Sequence, residues 1–442
     1  MSGAAATHAA FPRPVAFAGV LDSRTFVRER TALLTTAVAV ALLPLAVPAG
    51  PGNVAPIDAF ILVALGACLL WALGAGRRWQ FPYVLPVGLI LAGGAFAALV
   101  GPVPNAGIVA LVQDSLLVLW CWAVVNISRS AGNLRVLLTT WAYSGIAWAV
   151  LAFVGIATGW QPLTGEVEKQ GTRLQVTLAD PSYAANYFFI SMMIIWATQR
   201  PRNRLLRWPA CGLLVAAIAA TGSNSGIVAL IVGTLVAAEL GIYRRFGTVP
   251  AVTALAAIAI GTILAVLTVN LGQIQETAHD SSYAFVRQGV GRSTDSASQR
   301  EMLLQESVRL YKTGSPLGEG PVSTKPRLDR DMGHLVKEAH DDYFAALIER
   351  GPLGLAGVLL LVAGLGFRGL ALTRKKLAPA FAALVSRPNA VVGAMAGTLV
   401  AGTVYELLHV RHIWAMFGLV AALFIWGRDV QPTPYSTPGQ FD

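Results

Sequence analysis

The residues best suited to chemistry stand together at the foot of one apolar run. From His340 to Leu361 the chain reads HDDYFAALIERGPLGLAGVLLL. A histidine, two aspartates and a tyrosine precede a Gly-Pro-Leu-Gly step, and a long apolar run follows. His340, Tyr343, Phe344 and Leu347 are spaced i, i+3, i+4, i+7, which places them on one face of a helix. The reading is a titratable site at the mouth of a membrane helix, with Asp341 and Asp342 positioned to orient His340 as carboxylates orient catalytic histidines. The plainer alternative is a solvated cap with an incidental histidine. Metal chemistry has one weak pointer, the Asp-x-Asp of Asp329-Arg330-Asp331. That spacing can hold a divalent ion, but it arises easily in so polar a segment, and no metal site is assigned.

The elements that must position this site are membrane helices. The chain has 442 residues, 55% of them hydrophobic and 13% charged, where a soluble domain carries about 25% charged residues. This predicts an all-α integral membrane protein. The formal net charge of +10 fits basic loops on the cytoplasmic side of a membrane, and no nucleic-acid partner is assigned. Cys68, Cys121 and Cys211 all fall inside apolar runs, with neither a disulfide framework nor metal-ligand spacing. The polar start, Met1 to Arg30, does not read as a signal peptide.

Length and apolarity place spans near 32–49, 57–75, 82–100, 106–126, 136–158, 183–198, 209–222, 225–242, 249–269, 352–367, 389–405 and 412–427, about twelve in all. Arginine and lysine collect in every second loop, at Arg24 to Arg30, Arg77–Arg78, Arg129–Arg135, Arg200–Arg207, Arg244–Arg245 and Arg368–Arg387. That alternation predicts cytoplasmic termini. It divides the chain into a cytoplasmic segment 1–30, nine spans within 31–269, one large extracytoplasmic loop 270–351 that contains the site, three spans within 352–428, and a disordered tail 429–442. Within the loop, Ser298 and Glu301 read as a capping box. Leu304, Val308 and Tyr311 continue a helical stripe that Gly314 and Pro316 end. This amphipathic helix is expected to lie on the membrane or on the bundle. Asp114, inside the fourth run, is read as a core partner for another helix or as part of a substrate path. Glu239 is read as a snorkelling end residue.

Four motifs on the predicted outer face, in this order, resemble the O-antigen ligase and O-antigen polymerase superfamily of bacterial envelope glycosyltransferases. They are Leu178-Ala179-Asp180-Pro181-Ser182, Thr221-Gly222-Ser223-Asn224-Ser225-Gly226, Arg300 followed by Pro316-Leu317-Gly318-Glu319-Gly320-Pro321, and the stretch with His340, Tyr343, Glu349, Gly351, Gly354 and Leu355. The chain departs from the family pattern at Asn224, where arginine is usual, and at Asp341, where asparagine is usual.

The resemblance implies a fold like that of GT-C glycosyltransferases in the inner membrane. It also implies transfer of a glycan from an undecaprenyl diphosphate carrier to a hydroxyl of a glycan or glycolipid acceptor, without cofactor. By that implication His340 is the base and Arg300 the first diphosphate clamp. Tyr343 belongs to the same catalytic group. Arg287, Arg292, Arg173 and Arg411 are further substrate-binding candidates, able to cover for the missing arginine at Asn224, and Asn224 and Asp341 complete the set. His409 and His412 read as helix-end histidines, with His409 a candidate supporting group, and His279 and His334 as loop residues. The motifs do not separate ligase from polymerase. The peptidoglycan polymerase family has a similar span count, but its signature, a catalytic aspartate in a large outside loop, is not clearly matched. A flippase would need charges along the membrane midplane and broken helices in two matching halves.

Overall fold

The computed structural model describes residues 23–47, 54–75, 79–161, 173–268, 295–324, 341–374 and 376–428, with isolated positions between 273 and 281. Its helices are α1 (Ser23–Ala41), α2 (Pro56–Ala75), α3 (Val84–Val100), α4 (Pro104–Ile127), α5 (Ala131–Thr158), α6 (Pro181–Thr198) and α7 (Arg204–Thr221). There follow α8 (Asn224–Phe246), α9 (Thr248–Thr268), α10 (Asp295–Thr313), α11 (Asp342–Arg374), α12 (Pro379–Leu384), α13 (Pro388–Ala401) and α14 (Arg411–Trp426). Each of the twelve apolar runs falls on one of them. By length and composition, six are able to cross a membrane: α2, α4, α5, α7, α8 and α11. Helices α3, α9, α13 and α14 are apolar but have shorter described stretches. The protein is a multi-pass helical membrane protein.

The centre of the bundle is α6 and α14. Both are largely apolar and buried along most of their length, as expected of helices with little surface to present. Helix α6 packs against α5, α7, α8 and α13, and α14 against α4 and α11. Helices α8 and α13 approach closely because α13 carries Gly393-Ala-Met-Ala-Gly397. A Cβ at Gly397 would run into the carbonyl oxygen of Ala229, and one at Gly393 into that of Gly233. Such small-residue spacing lets membrane helices meet backbone to backbone.

Two elements differ from the sequence expectation. Helix α1 starts at Ser23 and ends at Ala41, not near 32 and 49; it ends early because Pro44 lacks an N–H and disfavours helix in the residue before it. Helix α10 begins about a turn before Ser298, at Asp295, and stops at Thr313 ahead of Gly314 as expected. It packs on α11, with Ser307 and Leu310 buried, so of its two expected places the bundle is the one it takes.

Candidate active site

Helix α11 is broken where the sequence places Gly-Pro. Gly351 has φ 65 and ψ −172, and Pro352 follows. Pro352 has no N–H, so the carbonyl of Ile348, four residues back, lacks its helical donor. The N–H of Glu319 fills that role at 2.8 Å, and the N–H of Gly320 donates to the carbonyl of Glu349 at 3.0 Å. The Glu349 carboxylate accepts from the N–H of Thr324 at 3.3 Å. The Gly-Glu-Gly-Pro turn is thereby docked on the break. The two backbones touch without side chains between them: a Cβ on Gly318 would lie 2.6 Å from the nitrogen of Gly351, and one on Gly351 2.6 Å from the oxygen of Leu317. Both glycines also have positive φ, which other residues rarely adopt.

The start of α11 is held by its aspartates. The Asp341 carboxylate accepts from the N–H groups of Tyr343 and Phe344 at 2.7 and 3.0 Å. Burial pushes its carboxyl above the usual range, against the pull of those two bonds. A side-chain oxygen is all that this cap requires, and asparagine and aspartate supply it about equally. That explains why the departure from the family pattern at Asp341 leaves the helix start intact. Asp342 accepts from the N–H groups of Leu407 and Leu408, each at 3.0 Å, and its own N–H donates to the carbonyl of Gly402 at 2.9 Å. It ties the turn between α13 and α14 to α11.

That turn carries His409 and leads to Arg411. His409 Nε2 and the Tyr183 hydroxyl are 2.6 Å apart. Burial, reinforced by the Arg411 charge, pushes the His409 imidazole down to about 4, so the ring is neutral near pH 7 and a poor proton acceptor there. Its ring is held against the Tyr183 hydroxyl. Arg411 meets Asp58 of α2 with two bonds, Nε to Oδ1 at 2.9 Å and Nη2 to Oδ2 at 2.6 Å. Asp114 accepts from Arg350 Nη1 at 2.6 Å, which makes it the partner of another helix. Arg350, Asp58 and Glu406 were not predicted from the sequence. For Asp58 the available signal was a carboxylate in an apolar span, which demands a partner. For Arg350 it was an arginine beside a helix break.

A cleft at this end is lined by Asp114, Asp342, Glu349, Arg350, Glu406 and His409, with apolar walls from α3 and α11. The α11 face turned to it is Asp342, Ala345, Ala346 and Glu349. Tyr343, Phe344 and Leu347 lie on the adjacent, half-buried face. The Tyr343 hydroxyl donates to the carbonyl of Leu399 at 3.1 Å, fastening α11 to α13.

The other motifs arrive at the same end. Asp180 caps α6, accepting from the N–H of Ser182 at 2.6 Å. Ser223 caps α8 and donates to the Ser182 hydroxyl at 3.1 Å, so two motifs meet directly. Asn224 is the first residue of α8, half-buried. Arg173 reaches this turn, its Nε donating to the carbonyl of Thr221 at 2.8 Å and its Nη2 to that of Gly222 at 3.3 Å. Of the arginines named as cover for Asn224, Arg173 is the one seen against that turn. Arg300 lies on α10 with its side chain outside the described residues. His340, Arg287, Arg292, His279, His334, the Asp329–Asp331 pair and the tail 429–442 also lie outside them. His412 is buried in the first turn of α14, its ring 5.7 Å from that of Tyr187.

The fold and these contacts define a multi-pass membrane protein with a charged cleft at one end of its bundle. Residues 209–359 match the family described as O-antigen ligase, Wzy_C. That match supports the O-antigen ligase and polymerase superfamily that the motifs of the chain resemble. No curated protein matches the chain.

Proposed function

We propose that the protein is an O-antigen ligase-type glycosyltransferase that takes a glycan from undecaprenyl diphosphate and joins it to an acceptor hydroxyl on the outer face of the inner membrane. The observation that carries this reading is convergence. The α6 cap, the α7–α8 turn, the Gly-Glu-Gly-Pro turn and the start of α11 are far apart in the chain, yet they gather at one end of the bundle, within or beside the matched domain. In this reading the chain has twelve spans and cytoplasmic termini, and the loop 270–351 faces outward.

His340, immediately before Asp341, takes the proton of the acceptor hydroxyl. The oxygen then attacks the anomeric carbon, and the bond to the diphosphate breaks. The leaving diphosphate is held by arginine forks, with Arg300 first and Arg287 and Arg292 beside it. Arg173 and Arg411 work through the surfaces they fix. The cleft has four carboxylates among its lining residues against the single arginine Arg350. That charge balance accepts sugar hydroxyls and repels a diphosphate, so the loop arginines are the ones suited to the donor. Tyr343 and Asp341 act by holding the start of α11 beside the cleft, and Asn224 by its place at the α7–α8 turn.

The alternative within the superfamily is a polysaccharide polymerase. Analysis of the lipid-linked glycan that accumulates in cells lacking the protein separates the two. Full-length polymer on the carrier indicates a ligase, capped single units indicate a polymerase, and no change in carrier-linked glycan counts against both.

A further inference from the structure

A second concavity opens at the opposite end of the bundle. Helices α7 and α8 leave a tight turn at Gly222–Ser223 and both pack on α6, while making little contact with each other. Between them lies a groove of about 830 Å3, within the size range of pockets that enclose drug-sized ligands, about 300–1,000 Å3. Its floor is Met192 and Trp196 of α6, and Val215, Leu230 and Ile231 line its walls. Trp196 stands roughly 20 Å along α6 from Tyr183 at helical rise, so the groove is separate from the candidate site.

The polar end of the groove is of one sign. Arg204, Arg207 and Arg387 line it, and no acidic residue does. Arg207 Nη1 donates to the carbonyl of Gln199 at 2.9 Å, which fixes its guanidinium at the rim. Arg204 and Arg387 are exposed and form no ion pair among the described residues. Leu205 and Trp208 next to them are 81% and 69% exposed, as befits a helix end at a membrane interface, where tryptophan collects. A soluble anion would need the arginines but not the apolar slot. An ordinary bilayer contact would need the slot but not three arginines. An amphiphile with a phosphate head and a long chain uses both.

We propose that this groove binds an anionic phospholipid, with its phosphate on Arg204, Arg207 and Arg387 and an acyl chain laid along Met192, Val215 and Leu230. The proposal does not depend on the transferase reading.

Native mass spectrometry of the purified full chain tests it, with phosphatidylglycerol and phosphatidylcholine of identical chains as probes. The wild type is expected to prefer phosphatidylglycerol by about tenfold, the scale of a few arginines acting on one anionic head. The Arg204→Gln/Arg207→Gln/Arg387→Gln variant is expected to lose that preference. Arg244→Gln/Arg245→Gln, at the end of α8 and outside the groove, is expected to keep it. The slot is tested separately with Gly212→Phe. Gly212 lines the groove, and a Cβ there meets nothing within 4 Å, so the ring fills the slot without a backbone clash and phosphatidylglycerol binding should fall with the fold intact. An unchanged preference in the triple variant, or equal loss in the Arg244/Arg245 control, would refute the site. Competition by millimolar inorganic phosphate, together with no effect of Gly212→Phe, would reduce it to an anion patch and sink the lipid assignment.

Discussion

Arg350 and Asp114 join the break in α11 to the middle of α4 across 2.6 Å, although they lie 236 residues apart in sequence. Both side chains are largely buried, at 16% and 17% exposure. Removing one partner strands a charge, whereas removing both does not. Asp114→Asn and Arg350→Met should each cost about 3 kcal/mol, read as thermal unfolding in detergent. The double variant Asp114→Asn/Arg350→Met should recover at least about 1 kcal/mol of the summed loss. Simple additivity would mean that the pair is not coupled.

His409 gives a pH signature. Its imidazole is held at about 4 in the fold, against 6.5 when free, so the fold prefers the neutral ring. The stability it contributes is therefore fully present above pH 6.5 and is lost as pH falls from there towards 4. Unfolding temperatures measured between pH 7.5 and 4.5 should drop less steeply in His409→Gln than in the wild type. Parallel curves would remove His409 as a source of acid sensitivity.

Asp341 is expected to act on the fold through its cap. Asp341→Asn should leave stability within a few tenths of a kcal/mol, while Asp341→Ala should lose about 1 kcal/mol. The same two variants separate charge from capping in catalysis. If the carboxylate orients His340, transfer falls in Asp341→Asn even though the helix start is preserved.

His340→Ala should leave the protein inserted and folded, and lower the chemical step about a hundredfold to ten-thousandfold, the usual range for a general base. Transfer from a purified lipid-linked donor, normalised to folded protein, measures this. A normal specific rate would leave the proton without an acceptor.

Arg300→Ala should weaken transfer by the loss of a charge-assisted contact worth about 1.5–3 kcal/mol. Arg300→Lys should restore only part of it, because an ammonium cannot make the two-pronged contact. Equal rates in the lysine variant and the wild type would make position 300 a source of charge alone.

The helices were legible because apolar runs and their punctuation are local. Gly314 ends α10 as its sequence indicates, and the Gly351-Pro352 step before the apolar run falls at the break in α11. The alternation of basic loops carried an orientation, but no contact within the chain bears on it. The pairings were not legible. Nothing near Asp58 in sequence points to Arg411, nor near Asp114 to Arg350, because membrane ion pairs form across helices whose neighbours are set by packing. The helical face that holds Tyr343 and Leu347 marks one side of α11, whereas the cleft takes the side of Asp342 and Glu349. Spacing identifies a face, but not which neighbour it meets.

The contact between Gly318 and Gly351 also restricts how this protein can vary. At each glycine the obstacle to a side chain is the other segment's main chain, which no change of residue type can trim. A lesion at either position therefore has no suppressor at the other. In a screen for second-site revertants, this pair should yield true reversions and little else, in contrast to the Arg350–Asp114 pair, where a loss on one side is mended by a loss on the other.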